Sequence, residues 1–150
     1  MVTADEVKNF EKNITLIRRT AGWSAEEFGK RVGMSRQSIN NIETGKYHLT
    51  KPHYVAMRYA LNEEIKEHSD DTKMLAIVLD AFVDRPNAYS DKVKDEIEQK
   101  AKLLSPAIET TVATRKEVSK TWQDILTVLA ATAIATSLAS LVVGIWKNNK

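Results

Sequence analysis

The chain has no cysteine, which excludes disulfides, thiolate metal sites and thiol catalysis together. Glycine and proline are scarce, 5 and 3 in 150 residues. No segment alternates apolar and polar residues as a half-buried strand does, so the chain reads as all-α. The three histidines, His48, His53 and His68, lack the spacing of a metal site. Asp70 and Asp71 read as a helix start. No Ser/His/Asp set, carboxylate pair or phosphate loop stands out, so neither enzymatic activity nor a cofactor is expected. The amino terminus, MVTADEVKNFEKN, lacks the apolar run of a secretory signal, and no export address is expected there.

What is present is an uneven distribution of charge. The net charge is only +2. Yet residues 1–62 carry ten Lys/Arg against six Asp/Glu, residues 63–121 ten against thirteen, and the tail from Trp122 two against one. A basic unit therefore precedes an acidic middle. The spacing of Val7, Phe10, Ile14 and Ile17 predicts a first helix from about Ala4 to Ala21, stopped by Gly22. Ser24, with Glu27 three residues on, has the pattern of a capping box for a second helix that turns Phe28 and Val32 inward. Gly33 ends it, Ser35 caps a third helix through Glu43, and Gly45 stops that one. A fourth starts near Thr50, accepts Pro52 in its first turn, and runs to about Leu61 through Val55, Tyr59 and Ala60.

Further on, Asp70 or Asp71 is expected to cap a helix with Met74, Leu75, Val78, Leu79 and Phe82 on one side. DRPNAYSD is a break, and Ser90 caps a helix carrying Val93, Ile97, Ala101 and Leu104. From Pro106 no proline or glycine appears until Gly144, so a single helix of roughly 60 Å is expected to run into the tail. The expected organisation is a four- to five-helix domain over 1–62, a helical middle region over 63–104 for dimerisation or partner binding, and a long helix over 105–150.

The most specific signal is WSAEEFGKRVGMSRQSINNIETGK, Trp23 to Lys46: a capped helix, a short turn with Gly33, and a second capped helix, which is the plan of a helix-turn-helix. Over roughly Asn13 to Leu61 the chain resembles the Cro/CI-type (XRE) family of bacterial and phage DNA-binding domains. The resemblance is carried by Ser35-x-x-Ser38-Ile39-x-x-Ile42-Glu43-x-Gly45-Lys46. It implies that the helix from Ser35 enters the major groove of double-stranded DNA. Arg36 would then face guanine, Gln37 adenine, and Asn41 would offer a second amide one turn on. Ser35, Ser38, Asn40, Lys46, Tyr47 and Lys51 would meet the backbone or groove edges. The resemblance also pairs Arg18 with Glu43 as a structural tie. The chain departs from the pattern at Ala25, where most members carry a phosphate-touching Gln. It departs again at Gly29, which stands for the usual Ala and which sterics tolerate but helix propensity does not favour. A plain helical bundle, or a helix pair that binds protein, is the alternative reading.

The tail poses a separate question. Ile125 to Trp146 is an uncharged run of 22 residues, roughly 33 Å as a helix, against a hydrocarbon core of about 30 Å. Ten of them are Leu, Ile or Val, which together favour insertion by roughly 3–6 kcal/mol. Trp122 and Trp146 flank the run as interfacial anchors would. A single membrane span is therefore expected, with membrane lipid as a partner and the N-terminal domain on the cytoplasmic face of a bacterial membrane. Thr132, Thr136, Ser140 and Gly144 form a small-residue stripe beside Ala131, Ala135 and Ala139, which suits a homodimer or higher homo-oligomer. Two alternatives remain. One is a membrane scaffold whose helix pair grips a protein; the other is a soluble phage-type repressor assembled through its last helix.

Overall fold

Hydroxyl side chains start five of the helices. In the computed structural model, which describes residues 1–99, Thr3, Ser24, Ser35, Thr50 and Ser90 each accept a hydrogen bond from the backbone N–H three residues on, at 3.0–3.4 Å. Each such bond satisfies a donor that the first helical turn leaves open. The helices are α1 (Ala4–Lys12), α2 (Ile14–Thr20), α3 (Ala25–Val32), α4 (Arg36–Glu43), α5 (Lys51–Glu67), α6 (Lys73–Leu79) and α7 (91–99). A π-helical turn, Asp80–Asp84, and a 3-10 turn, Pro86–Ala88, lie between α6 and α7. No strand occurs among the described residues, and none of their helices is long and apolar enough to cross a membrane. The long helix expected over 105–150, its apolar run Ile125 to Trp146 and the flanking Trp122 and Trp146 lie outside the described residues.

The expected first helix is two. Asn13 leaves the helical region at φ −114°, ψ 15°, and its Nδ2 donates to the Asn9 carbonyl at 2.8 Å. Its own N–H is shared between the Asn9 and Phe10 carbonyls, at 3.2 and 3.1 Å. An asparagine that bonds back to the preceding turn competes with helix continuation. The break still leaves Phe10, Ile14 and Ile17 buried together.

Helix α5 runs six residues beyond the expected Leu61, passing position 62 without interruption. It buries Tyr54, Met57, Leu61, Glu64 and Ile65, whereas Val55 and Tyr59 are exposed. The capping box at Ser24 is half formed. Ser24 Oγ accepts from the Glu27 N–H at 3.1 Å, while the Glu27 carboxylate turns to Arg31. The cap of α6 is Thr72 rather than Asp70 or Asp71, and its hydroxyl donates back to the His68 carbonyl instead of holding α6.

The expected apolar side of α6 is buried, and so are Ile77, Ala81 and Val83. A helix apolar all round needs neighbours all round. They are α2 and α5 against α6, with α1 against the π-helical turn. The buried residues from Phe10 to Ile97 accordingly form one hydrophobic cluster. In the π-helical turn the Arg85 N–H reaches back five residues to the Asp80 carbonyl at 2.8 Å, the bond that defines such a widening. The Asp80 carboxylate takes both arms of Arg85 at 2.7 Å and the Tyr89 hydroxyl at 2.8 Å. Burial first, then that hydrogen bond, pushes the Tyr89 phenol well above its ordinary pKa.

Candidate nucleic-acid interface

The exposed side of α4 begins with its packing. Ile39 and Ile42 are buried, and on a helix the residues opposite them are Arg36, Gln37, Asn40 and Asn41. Arg36 and Gln37 are exposed; Ser38, Asn40 and Asn41 are half-buried. Arg36 has no hydrogen bond or ion pair with any described residue. Gln37 Nε2 donates to Asn41 Oδ1 at 3.1 Å. At the helix start Ser35 Oγ, already accepting the Ser38 N–H, donates to Ser38 Oγ at 2.9 Å.

The far end of α4 is tied from α2. Arg18 Nε donates to Glu43 Oε1 at 2.7 Å, with both side chains only 10% exposed. Its Nη1 donates to the Trp23 carbonyl at 3.0 Å. The pair named by the resemblance is thus present, and it joins α2, the turn before α3 and the end of α4.

The near end is fixed by the crossing of α3 and α4. Gly33 closes α3 in the left-handed region at φ +73°, and the Met34 N–H donates to the Gly29 carbonyl at 2.8 Å. The backbone then folds directly over Gly29. A Cβ built there would lie 2.3 Å from the Met34 carbonyl oxygen and 3.3 Å from the Ser35 carbonyl carbon. Glycine at this position is therefore required by space.

After α4, Gly45 adopts φ +80°, and the Tyr47 N–H closes the turn on the Asn41 carbonyl at 3.0 Å. Lys46, Tyr47 and Lys51 are all exposed, and the Lys46 ammonium lies 6.0 Å from the centre of the Tyr47 ring. The segment that carries them is pinned from α1: Glu11 accepts the Leu49 N–H at 2.5 Å and faces His48 Nδ1 at 3.3 Å. Sequence reasoning missed Glu11, because its partner lies 38 residues away and no local pattern announces it. It also missed Arg31, which bridges Glu27 and the buried Glu64 at 3.1 Å each and lies 4.4 Å over the Trp23 ring. Trp122 and Trp146, the proposed anchors, lie outside the described residues.

The outer side of α4 and the segment after it thus carry two cation types, three amides and three hydroxyls, exposed or half-buried. A guanidinium fork fits the O6/N7 edge of guanine, a primary amide the N6/N7 edge of adenine, and ammonium groups fit phosphate. Among the described residues no cluster of His, Asp or Glu could hold a metal ion.

Residues 14–57 match a family described as a helix-turn-helix domain, a range that takes in α2, α3, α4 and the first turns of α5. No curated protein and no solved structure matches the chain. The N-terminal part of this chain is a helix-turn-helix domain.

Proposed function

We propose that the chain is a sequence-specific, DNA-binding transcriptional regulator, a repressor held at the cytoplasmic face of a bacterial membrane by its C-terminal apolar run. The observation that carries the DNA reading is the outer side of α4. There Arg36 and Gln37 are exposed while Ile39 and Ile42 anchor the helix from behind. The ten Lys/Arg against six Asp/Glu of residues 1–62 favour a polyanion over a protein partner. Arg36 and Gln37 read bases in the major groove; Lys46, Tyr47 and Lys51 grip phosphates and set the register. Repression is the regulatory outcome that asks for nothing beyond occupancy of the site. Two heads of a homodimer would meet half-sites about one helical turn apart.

The tether rests on sequence alone: the 22 uncharged residues from Ile125 to Trp146, long enough for a bilayer core. Tethering confines the search to DNA near the membrane and leaves regulation open to membrane events.

The experiment is duplex selection by the full chain, followed by binding over a salt series. Arg36→Ala should relax preference at one base pair, with a cost of about 1–3 kcal/mol at the cognate site. Lys46→Ala should weaken all duplexes alike and lower the salt slope by about one. A wild-type chain that enriches no sequence would exclude this function. For the tether, retention in the membrane pellet through high salt and then alkali supports a span. Release by either wash, as a detergent-independent oligomer, would make the tail an assembly helix.

A further inference from the structure

Arg36 and Gln37 stand at the exposed start of α4, but Asn41 is half-buried, and its side chain is already engaged. Gln37 Nε2 donates to Asn41 Oδ1 across one turn at 3.1 Å. The Asn41 carbonyl is held as well, accepting the Tyr47 N–H at 3.0 Å and facing the Thr44 hydroxyl at 3.4 Å. No described residue of another helix bonds the Gln37 amide.

Resting on the DNA reading above, we propose that Asn41 is a positioning residue for Gln37 rather than an independent reader of bases. The two amides then act as one unit that recognises a single adenine. A primary amide has two N–H donors and one carbonyl acceptor. With one N–H given to Asn41, Gln37 keeps one donor and its oxygen. These are the groups that a bidentate pair with adenine N7 and N6–H requires. The bond matters in two ways. A glutamine free to rotate must lose its rotamer freedom when it binds, and Asn41 removes part of that loss beforehand. Asn41 also holds the Gln37 amide in one orientation relative to α4, so that its nitrogen and oxygen present together.

The test is duplex selection with the full chain, read position by position, for wild type, Gln37→Ala, Asn41→Ala and the double variant. Binding is then measured on the enriched site and on the same site with 7-deazaadenine, which lacks the N7 acceptor. Wild type should prefer adenine at one position and lose affinity on the deaza base. Gln37→Ala should abolish both effects. Asn41→Ala should reduce the adenine preference at that same position about five- to tenfold, the value of one hydrogen bond, and leave the salt slope unchanged. The double variant should match Gln37→Ala alone. Relaxation at a different base pair in Asn41→Ala, additive losses in the double variant, or an unchanged adenine preference in Asn41→Ala would each overturn the positioning role while leaving the DNA reading intact. A wild-type chain that enriches no sequence overturns both.

Discussion

Replacing Gly29 by alanine sets two effects against each other, and the structure decides which prevails. Helix propensity favours alanine by about 0.8–1.0 kcal/mol inside a helix such as α3. Against it stands the Met34 carbonyl oxygen, 2.3 Å from the position a Cβ would take. An ordinary contact there needs about 1 Å more, and the obstacle is backbone, which cannot rotate away. The chain after Gly33 must shift, straining the Met34-to-Gly29 hydrogen bond of 2.8 Å and moving Ser35, the cap of α4. Overpacking that moves backbone costs up to about 3 kcal/mol, so the net loss should be about 2 kcal/mol. In urea this lowers the unfolding midpoint by about 1 M, given slopes of about 1–3 kcal/mol/M. Far-ultraviolet circular dichroism of the two full-length chains measures it. A Gly29→Ala chain as stable as wild type, or more so, would show that propensity wins and refute the steric argument.

The Arg18–Glu43 pair is largely withdrawn from solvent, with Arg18 buried and each side chain 10% exposed. Removing either partner strands a charge, so Arg18→Ala and Glu43→Ala should each cost about 3–5 kcal/mol in denaturant unfolding, while Arg18→Met with Glu43→Leu should recover most of it. Single variants within about 1 kcal/mol of wild type would contradict the burial argument. Half of the buried hydrophobic residues described, from Ile65 to Ile97, lie beyond position 62. A fragment of residues 1–62 should therefore fail to fold cooperatively, whereas 1–99 should melt in one transition; a sharp melt of 1–62 would count against one shared core. The Tyr89 phenol, pushed up by burial and by Asp80, keeps its proton in the fold after the unfolded chain has lost it. Its contribution is whole below the ordinary value of about 10 and is lost as pH rises above that. Wild type should lose stability above about pH 10 more steeply than Tyr89→Phe, and parallel curves would exclude the coupling.

What could be read from sequence divides along physical lines. The caps at Ser24, Ser35, Thr50 and Ser90 were legible because a cap is a local interaction, complete within four residues. The face of α4 was legible because Ile39 and Ile42 mark its inner side and the polar residues fall opposite. Helix α5 shows the limit. Val55 and Tyr59 are four apart, and so are Met57 and Leu61, giving two stripes that periodicity alone cannot rank. The position of α3 settles it, through contacts such as Arg31 to Glu64. Asn13 was missed for a related reason: the apolar positions continue through the break, which is made by one side chain bonding backwards. The need for glycine at 29 depends on a carbonyl contributed by the next turn, and nothing in the local sequence marks it.

The proposed reading of DNA by α4 asks how so short a helix could be held in place for it. Eight residues are too few to hold a helix in water, because nucleation is unfavourable and little propagation follows. The position of α4 must therefore come from outside it. Three constraints supply that position: the backbone folded over Gly29 at its start, Ile39 and Ile42 in the core along its length, and Arg18 on Glu43 at its end. Each acts on the helix as a whole and none touches the outward side chains. Gly29→Ala and Glu43→Ala should thus share a second effect beyond lost stability, a weaker preference at every base pair at once, since both displace Arg36 and Gln37 together. Arg36→Ala should not do this. Loss confined to one base pair in Glu43→Ala would mean that the carboxylate acts on DNA directly, and not by holding the helix.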